Sequence, residues 1–225
     1  MPGTGPRPSG DAAHSMNGQP ATPIRKRAYY QGTREPPELV REYFRRLGTV
    51  ALVLDLGCGA GGLARAAPSG VRVIGVDHDS GALELAGRLG RVLAWDAGTG
   101  RRLPFPRDRF DAVVARDVLE HLDHPWDTVR ELRAVLRPGG LVLASVPMAR
   151  PRVVWNDYTH RRGFTRAAIR MLFLDAGFDV VRVDRMGPLP LLTRLGLIRT
   201  APWLLRLPVL NQCWATSWEV LACKP

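Results

Sequence analysis

The stretch Val53-Leu-Asp-Leu-Gly-Cys-Gly-Ala-Gly-Gly62 decides how the rest of the chain is read. The apolar run over residues 50–56 has the pattern of a strand buried on both faces of a sheet. Four glycines then fall within six residues (Gly57, Gly59, Gly61 and Gly62), and residues 63–67 resume as a short helix. Strand, turn and helix together predict a socket. Glycine tolerates positive φ and lets the backbone come close to a ligand, and the first N–H groups of a helix face whatever sits there. Gly57, Gly59 and Gly62 also satisfy G-x-G-x-x-G, with Asp77 twenty residues beyond Gly57, so a dinucleotide fingerprint is met too. The glycines alone leave the ligand open.

Moving outward, residues 71–76 predict a second strand ending in Asp77, and Ser80 is placed to cap a helix reaching Arg88. Residues 92–95 read as a short third strand before Asp96, and residues 110–115 as a fourth. His124-Pro125 opens a helix through Leu136, Arg137-Pro-Gly-Gly140 closes it with turn chemistry, and residues 141–146 form a fifth strand. Thr165 caps a helix with Ile169, Leu172, Phe173 and Ala176 inward and Gly177 behind it. Residues 178–183 and 214–221 supply the last two strands. Strands alternating with helical patterns mean βαβ units and a parallel sheet. Upstream, Pro36-Pro37 sets up a helix whose Leu39, Val40, Tyr43, Phe44 and Leu47 share one stripe. That stripe either packs on the sheet edge or serves as a lid over the ligand. The expected organisation is a disordered tail over 1–23, a lid or cap helix over 24–50, and a ligand-binding domain over 51–225. Residues 147–164 and 186–212 are expected as insertions on the acceptor side.

The net charge of +11 is unevenly spread. Residues 1–50 hold 8 Lys/Arg against 4 Asp/Glu, residues 51–150 hold 13 against 12, and residues 151–225 hold 11 against 5. The socket region is therefore nearly neutral, and the basic excess lies on its flanks, where RNA or an anionic membrane surface is a conceivable partner. The three cysteines, Cys58, Cys213 and Cys223, show no metal or redox spacing, and a reducing cytoplasm suits an odd count. No signal peptide and no apolar run of membrane-spanning length is seen. Residues 186–210 are Leu- and Pro-rich, and peripheral membrane contact through Leu189–Leu210 is the lesser reading beside a core-covering flap.

Three carboxylates end successive strands or lie beside their ends: Asp55, Asp77 and Asp96. In open α/β sheets ligands bind outside those ends. Asp77 is placed to accept from both hydroxyls of a ribose, Asp96 from an exocyclic adenine amine, and Asp55 to reach an ammonium near the glycines. Ribose, adenine and an ammonium together describe S-adenosylmethionine. NAD carries no ammonium, and its pyrophosphate would be repelled by Asp55.

With these residues in view, the chain resembles the class I S-adenosylmethionine-dependent methyltransferases, in particular the type 11/type 23 methyltransferase-domain group. The resemblance rests on an ordered series: Val53 to Gly61, Val73-Ile-Gly-Val-Asp77, Asp96, Leu103-Pro-Phe-Pro106 with Arg109-Phe-Asp111, Val118-Leu-Glu-His-Leu122 and Leu136-Arg-Pro-Gly-Gly140. Weaker matches follow in Asp157-Tyr-Thr-His160, Phe164-Thr165 and Ala176-Gly-Phe178. It implies an α/β, Rossmann-like doubly wound sheet of seven strands, order 3-2-1-4-5-7-6, with the last strand antiparallel. It also implies that Gly57 and Gly59, with Cys58 and Gly61 in the same turn, face the methionine part. Asp77 then holds the ribose, Asp96 and Ala97 frame the adenine, and Arg116 and Asp117 stand at the mouth of the pocket, with His78 and Arg116 counted among the cofactor-binding candidates.

The expected chemistry is in-line methyl transfer to a small-molecule, glycan or lipid-like acceptor. Proximity supplies much of such an acceleration, and a base is needed only where the acceptor must lose a proton. His160, in a polar loop, and His121, in an apolar one, are the catalytic candidates. His121 is read first as a structural or cofactor-packing residue, with substrate contact the lesser reading. Asp117, Tyr158 and Arg161 are the substrate candidates, with Arg161-Arg162 read either as a solvated basic face or as an anion clamp. Asp157 with His160 is too sparse to hold a metal, so none is expected. An RNA methyltransferase is the alternative, although the Asn/Asp-Pro-Pro-Tyr/Phe signature is replaced by Ala115-Arg-Asp-Val-Leu119. A non-catalytic cofactor-binding protein is the third reading. A monomer or a homodimer is expected, with no clear nucleic-acid partner.

Overall fold

The computed structural model describes residues 37–99, 102–186 and 215–225. The expectations for the tail over 1–23, for Cys213 and for residues 187–214 lie outside the described residues. The elements are α1 (Pro37–Leu47), β1 (Leu52–Leu56), α2 (Gly62–Ala66), β2 (Arg72–Asp77), α3 (Ser80–Ala86), β3 (Arg91–Ala94), β4 (Phe110–Arg116), α4 (Pro125–Val135), β5 (Leu136–Pro147), α5 (Pro151–Val154), α6 (Arg166–Asp175), β6 (Asp179–Met186) and β7 (Ser217–Cys223). Single 3₁₀ turns cover Ala97–Thr99 and Leu119–His121.

Seven strands form one sheet in the order β3-β2-β1-β4-β5-β7-β6. The pairs from β3 across to β5 are parallel, while β7 runs antiparallel between β5 and β6. Both faces of the central strands are apolar, so alternate side chains feed two cores. Leu54, Leu56, Phe110, Val113 and Ala115 face α4 and α6 through Leu132, Ile169 and Phe173. Val53, Ala112, Val114, Leu143 and Leu221 face α1 and α2 through Val40, Tyr43, Phe44 and Leu63. Each fully buried Leu, Ile or Phe of these sets contributes about 1.5–3 kcal/mol. The stripe of α1 thus covers the sheet's face rather than its edge.

Local chemistry moves several predicted boundaries. Asp79, not Ser80, caps α3: its Oδ1 accepts from the Gly81 and Ala82 amides at 2.9 and 3.3 Å, and α3 ends at Ala86 rather than Arg88. Thr165 caps α6 as expected, its hydroxyl accepting from the Ala168 amide at 3.1 Å. Residues 137–140 are not a free turn but the first part of β5. There Gly139 takes φ +74°, its amide donates to the Lys224 carbonyl at 2.8 Å, and the Lys224 amide donates to the Gly140 carbonyl at 2.9 Å. Pairing with the end of β7 satisfies backbone groups that a surface turn would give to water. β7 begins at Ser217 rather than residue 214, and β6 runs on to Met186. Among the described residues, no helix is long and apolar enough to cross a membrane.

Candidate active site

The carboxyl ends of β1, β2 and β4 bring the predicted ligand-binding residues together. Gly57 stands at φ +70°, and a Cβ there would lie 2.3 Å from Val118 Cγ2, so both backbone and space demand glycine. The Gly57 and Cys58 amides donate to the Val76 carbonyl at 2.8 and 3.1 Å, which ties the turn to β2 instead of aiming those groups at a ligand. The Gly59 amide donates to Asp77 Oδ2 at 2.8 Å, and Asp77 Oδ1 accepts from the Asp79 amide at 2.9 Å. Asp77 is buried, and each of its oxygens keeps a second lone pair. Exposed His78 sets Nδ1 3.4 Å from Asp77 Oδ1. Asp55 is fully buried at the end of β1. Burial, followed by the charges of Asp55 and Asp77, pushes the Cys58 thiol far up, so Cys58 packs as a neutral side chain between two carboxylates.

Asp96 lies past β3, and its Oδ1 accepts from the Gly98 amide at 2.8 Å, closing the turn that holds Ala97. Gly61, at φ +79°, is the N-cap of α2 and packs its backbone against Ala86 and Leu89. Arg116 leaves β4 between two elements. Its guanidinium stands 5.2 Å from the Tyr43 ring centroid of α1 and beside Gly62 of α2. A surface groove lined by Arg41, Phe44, Arg45, Val50, Pro68 and Val71 opens at the amino ends of β1 and β2, away from these groups.

Next along the sheet, the chain after β4 meets the loop after α5. Asp117 takes φ +51°, an unusual conformation for a non-glycine residue, and its Oδ1 accepts from the Ser145 hydroxyl at 3.1 Å. The His121 and His160 rings meet edge to face, with centroids 4.7 Å apart. His160 Nδ1 lies 2.7 Å from the Val154 carbonyl. A carbonyl only accepts, so Nδ1 carries the proton and Nε2 is bare. His121 Nδ1 faces the Thr159 carbonyl at 3.3 Å and the Thr159 hydroxyl at 3.1 Å. That hydroxyl donates to Asp157 at 2.6 Å, which makes His121 Nδ1 a donor as well.

Glu120 is the residue that sequence reasoning missed. It is fully buried, with its Oε1 3.8 Å from His160 Nε2, and neither oxygen has a hydrogen-bond partner among the described residues. Burial, then the charge of Asp117 and more weakly that of Asp157, pushes its carboxyl well above the usual range. The signal was a charge inside the apolar run Val118-Leu-Glu-His-Leu122, since glutamate is rarely buried without a purpose. Glu120, His121 and His160 each present a metal-ligating atom within 4.8 Å of the others. The fold thus joins residues 40 apart that their spacing kept separate.

Arg161 and Arg162 prove to be fasteners. Arg161 donates to the His121 carbonyl at 3.0 Å and pairs with Asp123 at 2.5 Å. Arg162 donates to the Leu122 and Asp123 carbonyls at 2.9 and 3.0 Å. They bind the 157–162 loop to the segment after β4. Tyr158 stands on that loop, 82% exposed.

A methyltransferase-domain family model matches residues 27–183. An uncharacterized methyltransferase of Mycobacterium avium is 38% identical over an alignment of 132 residues that covers 52% of this chain and 49% of that protein. The chain spans about half the length of such curated relatives. Among solved structures, an S-adenosylmethionine-dependent methyltransferase of Archaeoglobus fulgidus superposes with TM-score 0.69 at 20% identity, over 89% of this chain and 99% of that one. Phosphoethanolamine N-methyltransferase 2 of Haemonchus contortus, solved with S-adenosyl-L-methionine, superposes with TM-score 0.67 at 22% identity, over 90% of this chain and 56% of that one. The family match, the strand order and the glycine turn facing Asp77 lead to one conclusion: the chain belongs to the class I S-adenosylmethionine-dependent methyltransferases.

Proposed function

We propose that the chain transfers a methyl group from S-adenosylmethionine to a small-molecule, glycan or lipid-like acceptor. The observation that carries this reading is the adjacency of two polar centres at one end of the sheet. Asp77 and the glycine turn lie beyond β1 and β2, and the Asp117, Glu120, His121 and His160 cluster lies one strand further, beyond β4. The residues present fit the cofactor. Asp77 is buried and acceptor-only, with lone pairs left for two ribose hydroxyls. Asp55 sets a second buried carboxylate behind the glycines, suited to an ammonium. Asp96, with Ala97, stands where an adenine amine needs an acceptor. Cys58, Gly57, Gly59, Gly61, His78 and Arg116 complete the lining.

When bound, the cofactor supplies an electrophilic methyl on a sulfonium. The chain's own task is to hold an electron-rich acceptor in line with it. Asp117, Tyr158 and Arg161 flank the mouth on the acceptor side. Where the acceptor must shed a proton, the bare Nε2 of His160 is the atom with a free lone pair.

Labelled S-adenosylmethionine incubated with the protein and a small-molecule extract, with total RNA in parallel, tests the reading through mass spectrometry of the products. Label in extract metabolites supports it. Label confined to RNA would turn the assignment to the RNA alternative. Tight cofactor binding with no transfer to either would mark a non-catalytic binder.

A further inference from the structure

We propose that Glu120, His121 and His160 form a binding site for one divalent first-row transition-metal ion, of the zinc, cobalt or manganese kind. The inference deepens the reading above and rests on it for the site's purpose, though not for its chemistry.

Three independent features of the cluster point to a cation. The donor set is two imidazoles and one carboxylate, which suits these ions and leaves coordination positions for water or an acceptor oxygen. The two imidazoles are held in the same tautomer by outer partners: the Val154 carbonyl on His160 Nδ1, and the Thr159 carbonyl and hydroxyl on His121 Nδ1. Asp157 in turn orients Thr159 through two hydrogen bonds, at 2.6 and 2.8 Å. Such an arrangement of carbonyl or carboxylate behind each histidine is how proteins orient imidazole ligands. It places the proton on Nδ1 of each ring and so leaves each Nε2 unprotonated.

The third feature is Glu120. A fully buried carboxylate with no hydrogen-bond donor on either oxygen among the described residues is a costly arrangement unless something positive meets it. Asp117 and Asp157 add negative charge at the same point, and among the described residues no arginine or lysine side chain is paired with Glu120. Ligand atoms within 4.8 Å of one another need to close to about 3–3.4 Å, the spacing of neighbours around an ion at about 2.0–2.1 Å. Small rotations of Glu120 and the imidazoles supply that closure. An acceptor hydroxyl, catechol or similar oxygen would then meet the ion on its open side, next to the methyl donor. His160 becomes a ligand, and acidification of the acceptor falls to the ion.

The test uses the full chain, stripped with EDTA and saturated with S-adenosylhomocysteine. Zn²⁺ is titrated against a chromophoric chelator, and Co²⁺ is followed by its visible bands. One equivalent bound at micromolar affinity or tighter is expected, with Mg²⁺ at millimolar concentration failing to displace it. Glu120→Gln, close in shape to the native residue, should weaken Zn²⁺ binding at least 100-fold, as should His121→Ala. Thr159→Val, which removes only the outer hydrogen bond, should weaken it about 10-fold, since outer-partner losses run from 10- to 100-fold. His124→Ala, close in the chain but outside the cluster, should change nothing. Circular dichroism and S-adenosylhomocysteine affinity, measured on the same preparations, report folding and the cofactor site separately. Wild-type protein that takes up no Zn²⁺ or Co²⁺ while binding S-adenosylhomocysteine normally overturns the proposal. So does a folded Glu120→Gln variant that binds Zn²⁺ as tightly as wild type.

Discussion

Asp77 pins the glycine turn through the Gly59 amide. In the proposed reading the same carboxylate also accepts from the cofactor's ribose. Asp77→Ala should therefore weaken S-adenosylhomocysteine binding by about 1–3 kcal/mol, the range for hydrogen bonds to a charged group, and also lower the melting temperature of the free protein. Calorimetry and a thermal scan check the two losses; unchanged values in both would remove Asp77 from the site. His160→Ala should lower kcat by about 10²–10⁴-fold with cofactor affinity intact. A loss in KM alone would mark His160 as a substrate-positioning residue. Cys58 makes a third prediction. Its thiol is buried and its folded pKa is raised above the ordinary value of 9.0. A raised acidic group contributes fully below its unfolded pKa, and that contribution is lost as pH climbs above it. Native Cys58 should thus resist alkylation at pH 8, and stability should fall above about pH 9 more steeply in wild type than in Cys58→Ala. Urea titrations at a series of pH values supply the comparison.

At the scale of elements, the notable tie runs from β7 to α1. Glu219, 2% exposed in the middle of β7, pairs with Arg46 in the last turn of α1. Glu42, one turn earlier on α1, supports the same guanidinium at 3.6 Å. Removing the arginine leaves a carboxylate stranded in the core. Arg46→Ala should destabilise the fold by roughly 2–4 kcal/mol, below the range for a fully dry pair because Arg46 is one-quarter exposed. The double variant Arg46→Met, Glu219→Leu should recover most of that loss, since a well-packed apolar pair often equals a buried ion pair. Urea denaturation of the single and double variants measures both. A single variant as stable as wild type would show that Glu219 is satisfied elsewhere. A comparable anchor closes the amino end of β5, where the buried Lys224 ammonium donates to Asp108 at 2.6 Å and to the Leu136 carbonyl at 2.7 Å.

For the whole molecule, cofactor binding should couple to global stability, because the glycine turn and Asp77 join β1 to β2 at the centre of the sheet. At a hundred times its dissociation constant, S-adenosylhomocysteine should stabilise the fold by about 2.7 kcal/mol, while NAD should leave the melting temperature unmoved. A shift with NAD would reopen the dinucleotide reading. The sequence by itself determined the parallel α/β plan, through apolar runs alternating with helical stripes, and it marked the proposed cofactor end, through Gly57, Gly59, Asp77 and Asp96. Those signals are local: a strand's period, a glycine's freedom at positive φ and a carboxylate at a strand end are all written within a few residues. Helix ends were legible only to within a residue or two, because Asp79 and Ser80 are both competent caps and only the backbone path selects one. Tertiary structure alone decided the rest. It converted Arg161 and Arg162 from a basic face into fasteners, because only the fold shows which carbonyls lie within their reach. It laid α1 over the face of the sheet and buried Glu219 against it. It brought Glu120 and His121, after β4, against His160, forty residues on, where desolvation and the charges of Asp117 and Asp157 change what Glu120 can do. Burial and long-range neighbours set the chemistry of an ionisable group, and neither is a property of its position along the chain.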